Sequence, residues 1–170
     1  HQYGFDCAVA SLGTALTDEG AALLSRYTDQ VVLIYDGDNA GQNAAQRAIP
    51  ILEKTGLQVR VLRMKDAKDP DEFLQKFGAE KFRQLIKNSR TGFEFKLQSV
   101  LAKHDLAIPD EKIKAAAELC SIISKVYSSA EREVYIHAVA DRLSLSEDSL
   151  RKDVESAIRR NMKEGKQQES

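Results

Sequence analysis

Hydrophobic and polar residues follow two different periods along the chain, and the period changes near residue 90. An uninterrupted apolar run at 31–35 predicts a buried β-strand, and the segment VRVLRM at 59–64 predicts a second strand. Residues 39–55 between them have helical spacing, and that pattern closes at Gly56. A strand, a helix and another strand predict a βαβ unit with two parallel strands.

A short helix is predicted after the second strand. Asp69, Pro70 and Glu72 have the order of an N-cap, a proline at the first helical position and the acid of a capping box. Apolar residues then give this helix a buried side, and the pattern ends at Gly78. This capping interpretation accounts for Asp69 without any chemistry.

The pattern beyond residue 90 is helical and predicts a small bundle. The fold class is therefore α/β, a partial parallel sheet with flanking helices in residues 1–90, followed by an all-α bundle in 91–162. The tail at 163–170 lacks apolar periodicity and is expected to fray. The interruption at 88–92 is expected to end the β-structure. The four predicted helices are 93–104, 110–128, with Val126 and Tyr127 on its apolar side, 130–143, capped by Ser128 or Ser129, and 146–162.

Two carboxylates, Asp36 and Asp38, follow the first strand directly. Residues i and i+2 of an extended segment project to the same side, so both can point from the carboxyl edge of the sheet. Two like charges so close need a cation, and oxygen ligands without His or Cys favour Mg²⁺ or Mn²⁺. We therefore predict a divalent metal site at this edge.

This turn has three alternative interpretations. A calcium loop of the EF-hand type is excluded because Ala40 and Arg47 stand where its later ligands would be. A phosphatase-type aspartate nucleophile also follows an apolar strand, and it stays open. So does a purely structural turn in which Asp38 or Asn39 caps the next helix, although a cap explains only one of the two aspartates.

Two further acids, Asp69 and Asp71, follow the second strand and are expected at the same edge of the sheet. Ligands of open parallel sheets bind at this edge, where the carboxyl ends of the strands lie. Asp71 is the member of this pair that a helix start could present to a metal. Lys65 and Lys68 flank the acids and are the best local candidates for phosphate contacts, although ordinary solvated lysines explain each of them alone.

Composition limits the partners. The apolar share is 42%, and 25 Lys and Arg stand against 26 Asp and Glu, so no broad basic surface is expected. No run is long and apolar enough for a membrane span and no signal-peptide pattern is present, which predicts a cytoplasmic protein. Cys7 and Cys120 stand far apart and are expected to be separate thiols, and the three His residues form no cluster.

Residues 139–153 resemble a helix-turn-helix, with Ala140 and Leu145 at packing positions. A binding module for DNA or a protein partner, without catalysis, is therefore the alternative function. Acidic residues at 147, 148 and 153 on the would-be recognition helix argue against groove binding.

Three motifs together are more specific than any of these patterns. The segments AVASLGTALT at 8–17, DGDNAG at 36–41 and KDPDEFL at 68–74, in this order and spacing, resemble the Toprim region of bacterial replicative primases of the DnaG type. The resemblance covers about residues 1–90. Residues 91–170 are consistent with the helical subdomain that follows Toprim in that family. Other Toprim nucleic-acid enzymes carry different residues around their paired aspartates and fit less well.

The resemblance implies synthesis of short RNA primers on a single-stranded DNA template from nucleoside triphosphates. Asp36 and Asp38 would then bind the Mg²⁺ or Mn²⁺ ions that accompany the incoming nucleotide and would be catalytic, with Asp69 and Asp71 as further metal-site acids.

The family also has parts that this sequence does not match. Its catalytic Glu segment would lie upstream of His1, and its contact with the replicative helicase would be made by a C-terminal domain absent here. We therefore expect a fragment that makes no primers alone.

Overall fold

The structure is a computed structural model that describes residues 15–168, apart from the side chains of Asp36 and of residues 167–168. The chain divides into two compact units, with the boundary between Phe95 and Lys96. Each unit is described by itself. The α/β part followed by an all-α part confirms the predicted fold class.

Some features of the sequence lie outside the described residues. They are His1, Cys7 and positions 8–14 of the upstream motif. Within the described part of the chain, no helix is both long and apolar enough to cross a membrane.

The first unit contains a three-stranded sheet and helices on both of its faces. Its elements in chain order are α1 (Asp18–Ser25), β1 (Gln30–Asp36), α2 (Asn39–Glu53), β2 (Gln58–Met64), α3 (Pro70–Phe77), α4 (Ala79–Lys87), β3 (Arg90–Thr91) and the start of α5 (Gly92–Lys103).

The central pairing joins β1 and β2 in parallel, in a register that runs from Gln30 opposite Gln58 to Asp36 opposite Met64. Helix α2 connects the two strands, which confirms the predicted βαβ unit. The parallel arrangement brings the carboxyl ends of both strands to one edge of the sheet.

Successive side chains of β2 pack into two hydrophobic cores, one on each face of the sheet. Val59 and Val61 pack with Ile49 of α2 on one side. Met64, of the opposite parity in β2, packs with Phe73 of α3 and Phe82 of α4 on the other. Because side chains of a strand alternate between faces, each helix is held against a defined face of the sheet.

The sequence predicted that β-structure ends near residue 88, but the structure has a third strand beyond that point. Residues Arg90 and Thr91 pair antiparallel with Val61 and Arg60 of β2. The Arg60 guanidinium of β2 holds the segment before β3 against the sheet. Its Nε donates to Ser89 Oγ at 2.9 Å, and its Nη2 donates to the Ser89 carbonyl. Ser89 is buried, so these are well-shielded bonds.

The second unit is a helical bundle built on the end of α5 and on α6 (Pro109–Ser124), α7 (Ser129–Leu143) and α8 (Glu147–Gln168), of which the last three pack on one another. Its fully buried side chains come from all three of those helices: Leu119, Ile123, Ile136, Val139, Leu143 and Val154.

Two predicted helix ends in this bundle are wrong. Helix α6 ends at Ser124, four residues early, and Tyr127 is fully exposed, not on a buried face. Helix α6 ends here because the next helix begins a few residues later. Ser128 Oγ accepts the Glu131 backbone N–H at 3.3 Å and so caps the start of α7. The tail expected to fray continues α8 through Gln168, with exposed side chains at 161–166.

The side chain of His104, just after α5, lies between two carboxylates of α6. Its Nδ1 is 2.8 Å from Glu111 Oε2, and its Nε2 is 3.3 Å from Glu118 Oε2. Hydrogen bonding to Glu111 and then to Glu118 raises the pKa of His104 above its ordinary value. Lys114 and Lys103 pair with the same two glutamates, at 2.9 Å and 3.5 Å.

We predict that Arg60→Ala lowers the free energy of unfolding by about 1–3 kcal/mol, since it removes charged hydrogen bonds to a buried serine. Arg47→Ala, an exposed arginine of α2 with no recorded partner, should change it by less than about 0.5 kcal/mol. Urea unfolding of both variants measures the difference. Equal losses would show that the Arg60 contacts do not hold β3.

We also predict that His104 stabilises the chain more at low pH. Because its pKa is raised on folding, its contribution is fully present below the unfolded pKa of about 6.5 and is lost as pH rises through the higher folded pKa. The difference in melting temperature between the unmodified chain and His104→Gln should shrink from about pH 5.5 to about pH 8.5. A difference that widens with pH would contradict the ion-pair assignment. His137, whose pKa is also raised by Glu147, is common to both proteins and cancels in the comparison.

Candidate site at the carboxyl edge of the sheet

The acidic turn after β1 begins at the last residue of that strand. Asp36 ends β1 and pairs with Met64 across the sheet. Asp38 then caps α2, and its Oδ1 accepts the Gly41 backbone N–H at 2.6 Å. The capping role that the sequence allowed for Asp38 is therefore present. Because the Asp36 side chain lies outside the description, the pairing of the two carboxylates stays a prediction.

The acidic turn after β2 begins a helix in the same way. Asp69 caps α3, with Oδ1 accepting the Glu72 backbone N–H at 2.8 Å. Glu72 Oε2 accepts the Lys68 backbone N–H at 2.5 Å, and this bond is the main reason that the pKa of Glu72 lies below its usual value. The predicted cap at Asp69 is therefore present, with Pro70 as the first residue of the helix.

The carboxylate of Asp71 lies on the exposed side of α3. Its Oδ2 accepts a hydrogen bond from Gln75 Nε2 at 2.8 Å, one turn along the helix. Among the described side chains, no three His, Cys, Asp or Glu residues lie where they could hold one metal ion. A metal set formed by Asp36, Asp38, Asp69 and Asp71 thus remains a prediction.

Between the two turns lies an open cleft of about 430 Å³. The predicted phosphate contacts Lys65 and Lys68 both line it, and so does Asp38. The full lining is Gly37, Asp38, Arg63, Met64, Lys65, Ala67 and Lys68. One acid and three bases therefore share this cleft at the carboxyl ends of the parallel strands.

Arg63 is the residue of this cleft that the sequence analysis did not single out. Its Nη2 donates to the Gly37 carbonyl at 2.7 Å and so joins β2 to the acidic turn. A Cβ at position 37 would lie 2.8 Å from Arg63 Nε, so a larger residue there would displace the guanidinium from its present position. The available signal was a second arginine, next to the last residue of β2, on a strand with four buried positions.

The helix-turn-helix alternative is weakened by the contacts of its second helix. The turn between α7 and α8 contains Ser144 in the left-handed region at φ 52°. Arg151 of α8 is engaged by Glu133, through Nε at 2.9 Å and Nη2 at 2.8 Å, and by Asp148 at 2.7 Å. The charge of Arg151, one of the basic residues that a DNA groove would need, is therefore neutralised within the bundle.

Two family models match the chain. Residues 1–74 match a Toprim-like family, and residues 93–148 match a family described as the DnaB-helicase binding domain of primase. The second match differs from the expectation that helicase contact belongs to a domain outside this chain.

Curated relatives and solved structures agree with these matches. A DNA primase of Clostridium acetobutylicum is 37% identical over 150 residues, which is 88% of this chain and 25% of that protein. The Escherichia coli primase catalytic core is 32% identical with a TM-score of 0.74, over 85% of this chain and 47% of that one. A DnaG primase catalytic domain bound to single-stranded DNA is 31% identical with a TM-score of 0.76, over 87% of this chain and 48% of that one. The chain thus spans about a quarter of the curated relatives.

We predict that Asp69→Ala lowers the free energy of unfolding by about 1 kcal/mol, because it removes the cap of α3, whereas Asp69→Asn costs only a few tenths, since asparagine caps almost as well. Thermal or urea unfolding of both variants tests this. Equal stabilities for the two variants would show that the 2.8 Å bond to Glu72 does not stabilise the helix start.

Proposed function

Since this chain belongs to the DnaG-type bacterial DNA primases, we propose that it forms part of a nucleotidyltransferase domain that makes short RNA primers on single-stranded DNA in the bacterial cytoplasm. Its substrates would be nucleoside triphosphates and its product an RNA primer. The observation that carries the proposal is the edge where both parallel strands end, with Asp36, Asp38 and Asp69 at the turns.

The donor set at this edge suits Mg²⁺ or Mn²⁺. It consists of carboxylate oxygens, as these hard cations prefer, and neither turn contains a Cys or His residue. The cap bond of Asp38 uses Oδ1, and no donor to Oδ2 is found among the described residues. We propose Asp36 and Asp38 as the primary ligands, with Asp69 and Asp71 of the second turn as further acids of the metal site.

The chain's own residues would hold and orient the reacting groups. A bound divalent ion would supply electrostatic stabilisation as a 3′-hydroxyl attacks an α-phosphate. The capping bonds of Asp38 and Asp69 fix both turns before substrate arrives, which limits the reorganisation needed at that step. The protein's role in this proposal is geometric and electrostatic, without covalent catalysis.

The helical unit has a second proposed role. The match of residues 93–148 to a helicase-binding family supports contact between this unit and a DnaB-type helicase. The neutralised Arg151 makes sequence-specific DNA reading the weaker alternative.

We predict that replacing Asp36 and Asp38 together by Asn abolishes Mn²⁺ binding to the chain, as followed by electron paramagnetic resonance, and abolishes primer synthesis in a primase that carries this sequence. Asparagine is nearly isosteric and retains the cap of α2, so the loss would come from charge.

Asp29→Asn is the matched control, because Asp29 precedes β1 at the opposite end of the same strand. It should leave Mn²⁺ binding and synthesis unchanged. Full primer synthesis by the double variant, with an unchanged melting temperature, would overturn the metal assignment.

A further inference from the structure

Tyr127, in the loop between α6 and α7, is an aromatic residue whose side chain is fully exposed. The loop that carries it is nevertheless tied down by hydrogen bonds. Arg132 Nη1 donates to the Val126 carbonyl at 2.7 Å and to the Tyr127 carbonyl at 2.9 Å. Ser128, the next residue, caps α7. The ring is therefore presented to solvent by an ordered backbone.

The later turns of α8 meet the bundle at the same end. Asn161 Nδ2 donates to Ser124 Oγ at 3.1 Å, and Ser124 Oγ in turn donates to the Ser121 carbonyl at 2.6 Å. This contact joins the end of α6, where the loop begins, to the part of α8 around residue 161. The residues next to it form a surface that is called the tyrosine patch here and consists of Lys125, Tyr127, Arg160 and Lys163.

All charged residues of the two segments that form the tyrosine patch are basic. Residues 124–130 and 156–163 contain four cations and no acid. Of these cations, Arg159 lies 4.0 Å from Glu155. The three cations of the patch are exposed and have no ion pair within the described part of the chain. An exposed aromatic ring is thus accompanied by positive charge that the described residues do not balance.

We propose that the tyrosine patch binds single-stranded nucleic acid, with a base stacked on Tyr127 and the flanking phosphates held by the three cations. Proteins that hold single strands without reading their sequence combine aromatic rings, on which bases stack, with cations along the backbone. The bonds from Arg132 order the loop in advance, which lowers the entropic cost of fixing the ring against a base.

This inference goes beyond the proposed function, which gives the second unit contact with a helicase only. The helicase-binding family matches residues 93–148 and so leaves out Arg160 and Lys163. The cores of protein–protein interfaces are depleted of charged residues, whereas a phosphate backbone attracts cations. The charge of the patch therefore favours a nucleic acid over a protein partner. Stacking on Tyr127 also tolerates any sequence and so differs from groove reading by α8.

Fluorescence anisotropy with a labelled oligothymidine of about 15 nucleotides tests the patch on the whole 170-residue chain, at low salt and with EDTA to exclude divalent ions. Tyr127→Ala should weaken binding about tenfold, because the stacked base loses its ring, and Tyr127→Phe should bind as the unmodified chain does. Tyr27→Ala is the matched control, since Tyr27 is an 81% exposed tyrosine of the first unit, and it should not change the affinity. The Tyr127 side chain is fully exposed, so its variants should keep the melting temperature of the unmodified chain.

The cations of the patch have a signature of their own, the salt dependence of binding. Each phosphate contact to a single strand contributes about 0.7 to the slope of log affinity against log salt concentration. The triple variant Lys125→Gln, Arg160→Gln, Lys163→Gln should therefore lower the magnitude of this slope by about two.

A control triple variant removes the same charge from exposed cations of the first unit. These substitutions are Arg47→Gln, Lys54→Gln and Lys87→Gln. The control should keep the slope of the unmodified chain. Equal slopes for the two triple variants, or an unchanged affinity in Tyr127→Ala, would overturn the proposal.

Two further arms separate stacking from other modes of binding. An abasic chain of the same length keeps the phosphates but has no bases, so Tyr127→Ala should not weaken binding to it. An equal loss with the abasic chain would contradict stacking. If Tyr127→Ala weakens binding to a DnaB-type helicase and leaves the affinity for oligothymidine unchanged, the patch is a protein-docking surface and the proposal is wrong.

Discussion

The parallel pairing of β1 with β2 determines where every candidate functional residue of the first unit lies. Because Asp36 stands opposite Met64, the turns that follow the two strands begin at the same level of the sheet. A shift of one residue in this register would exchange the faces of Val59 and Val61 with that of Met64 and expose both cores. The hydrophobic alternation that stabilises the sheet therefore also aligns the turn after β1 with the turn after β2.

Both turns use an aspartate to cap a helix, and each cap leaves one carboxylate oxygen of that aspartate outside the capping bond. A cap takes one carboxylate oxygen, as in the bonds from Gly41 to Asp38 and from Glu72 to Asp69. The second oxygen is then presented by a backbone that cannot easily move. Structural and chemical interpretations of these aspartates are thus compatible, since the bond that satisfies the helix start also fixes the direction of the remaining oxygen.

The features that the sequence predicted correctly are those that depend on the local pattern of residues. Both parallel strands, α2 and the cap at Asp69 follow from periodicity and helix-start residues, and the structure contains them. Strand β3 was missed because a two-residue strand has no periodicity and depends on a distant contact, between Arg60 and Ser89. The early end of α6 was missed because Val126 and Tyr127 are apolar and continue the helical pattern, and only the structure shows that Tyr127 is exposed. Arg63 was overlooked because its importance comes from the carbonyl of Gly37, 26 residues earlier in the chain.

Local placement of charge matters more here than total charge. With a net charge of −1, the chain has no overall attraction for phosphates, and screening at physiological salt limits exposed charges to a range of about 8 Å. Cations that are to hold an anion must then touch it, as Arg63, Lys65 and Lys68 can within one cleft. Asp38 at the same cleft disfavours an anion when no cation is bound near it and would cease to do so once its charge is neutralised. An arrangement of three bases beside one acid would therefore couple phosphate binding to occupation of the acidic turn by a cation, through electrostatics alone and without a change in fold.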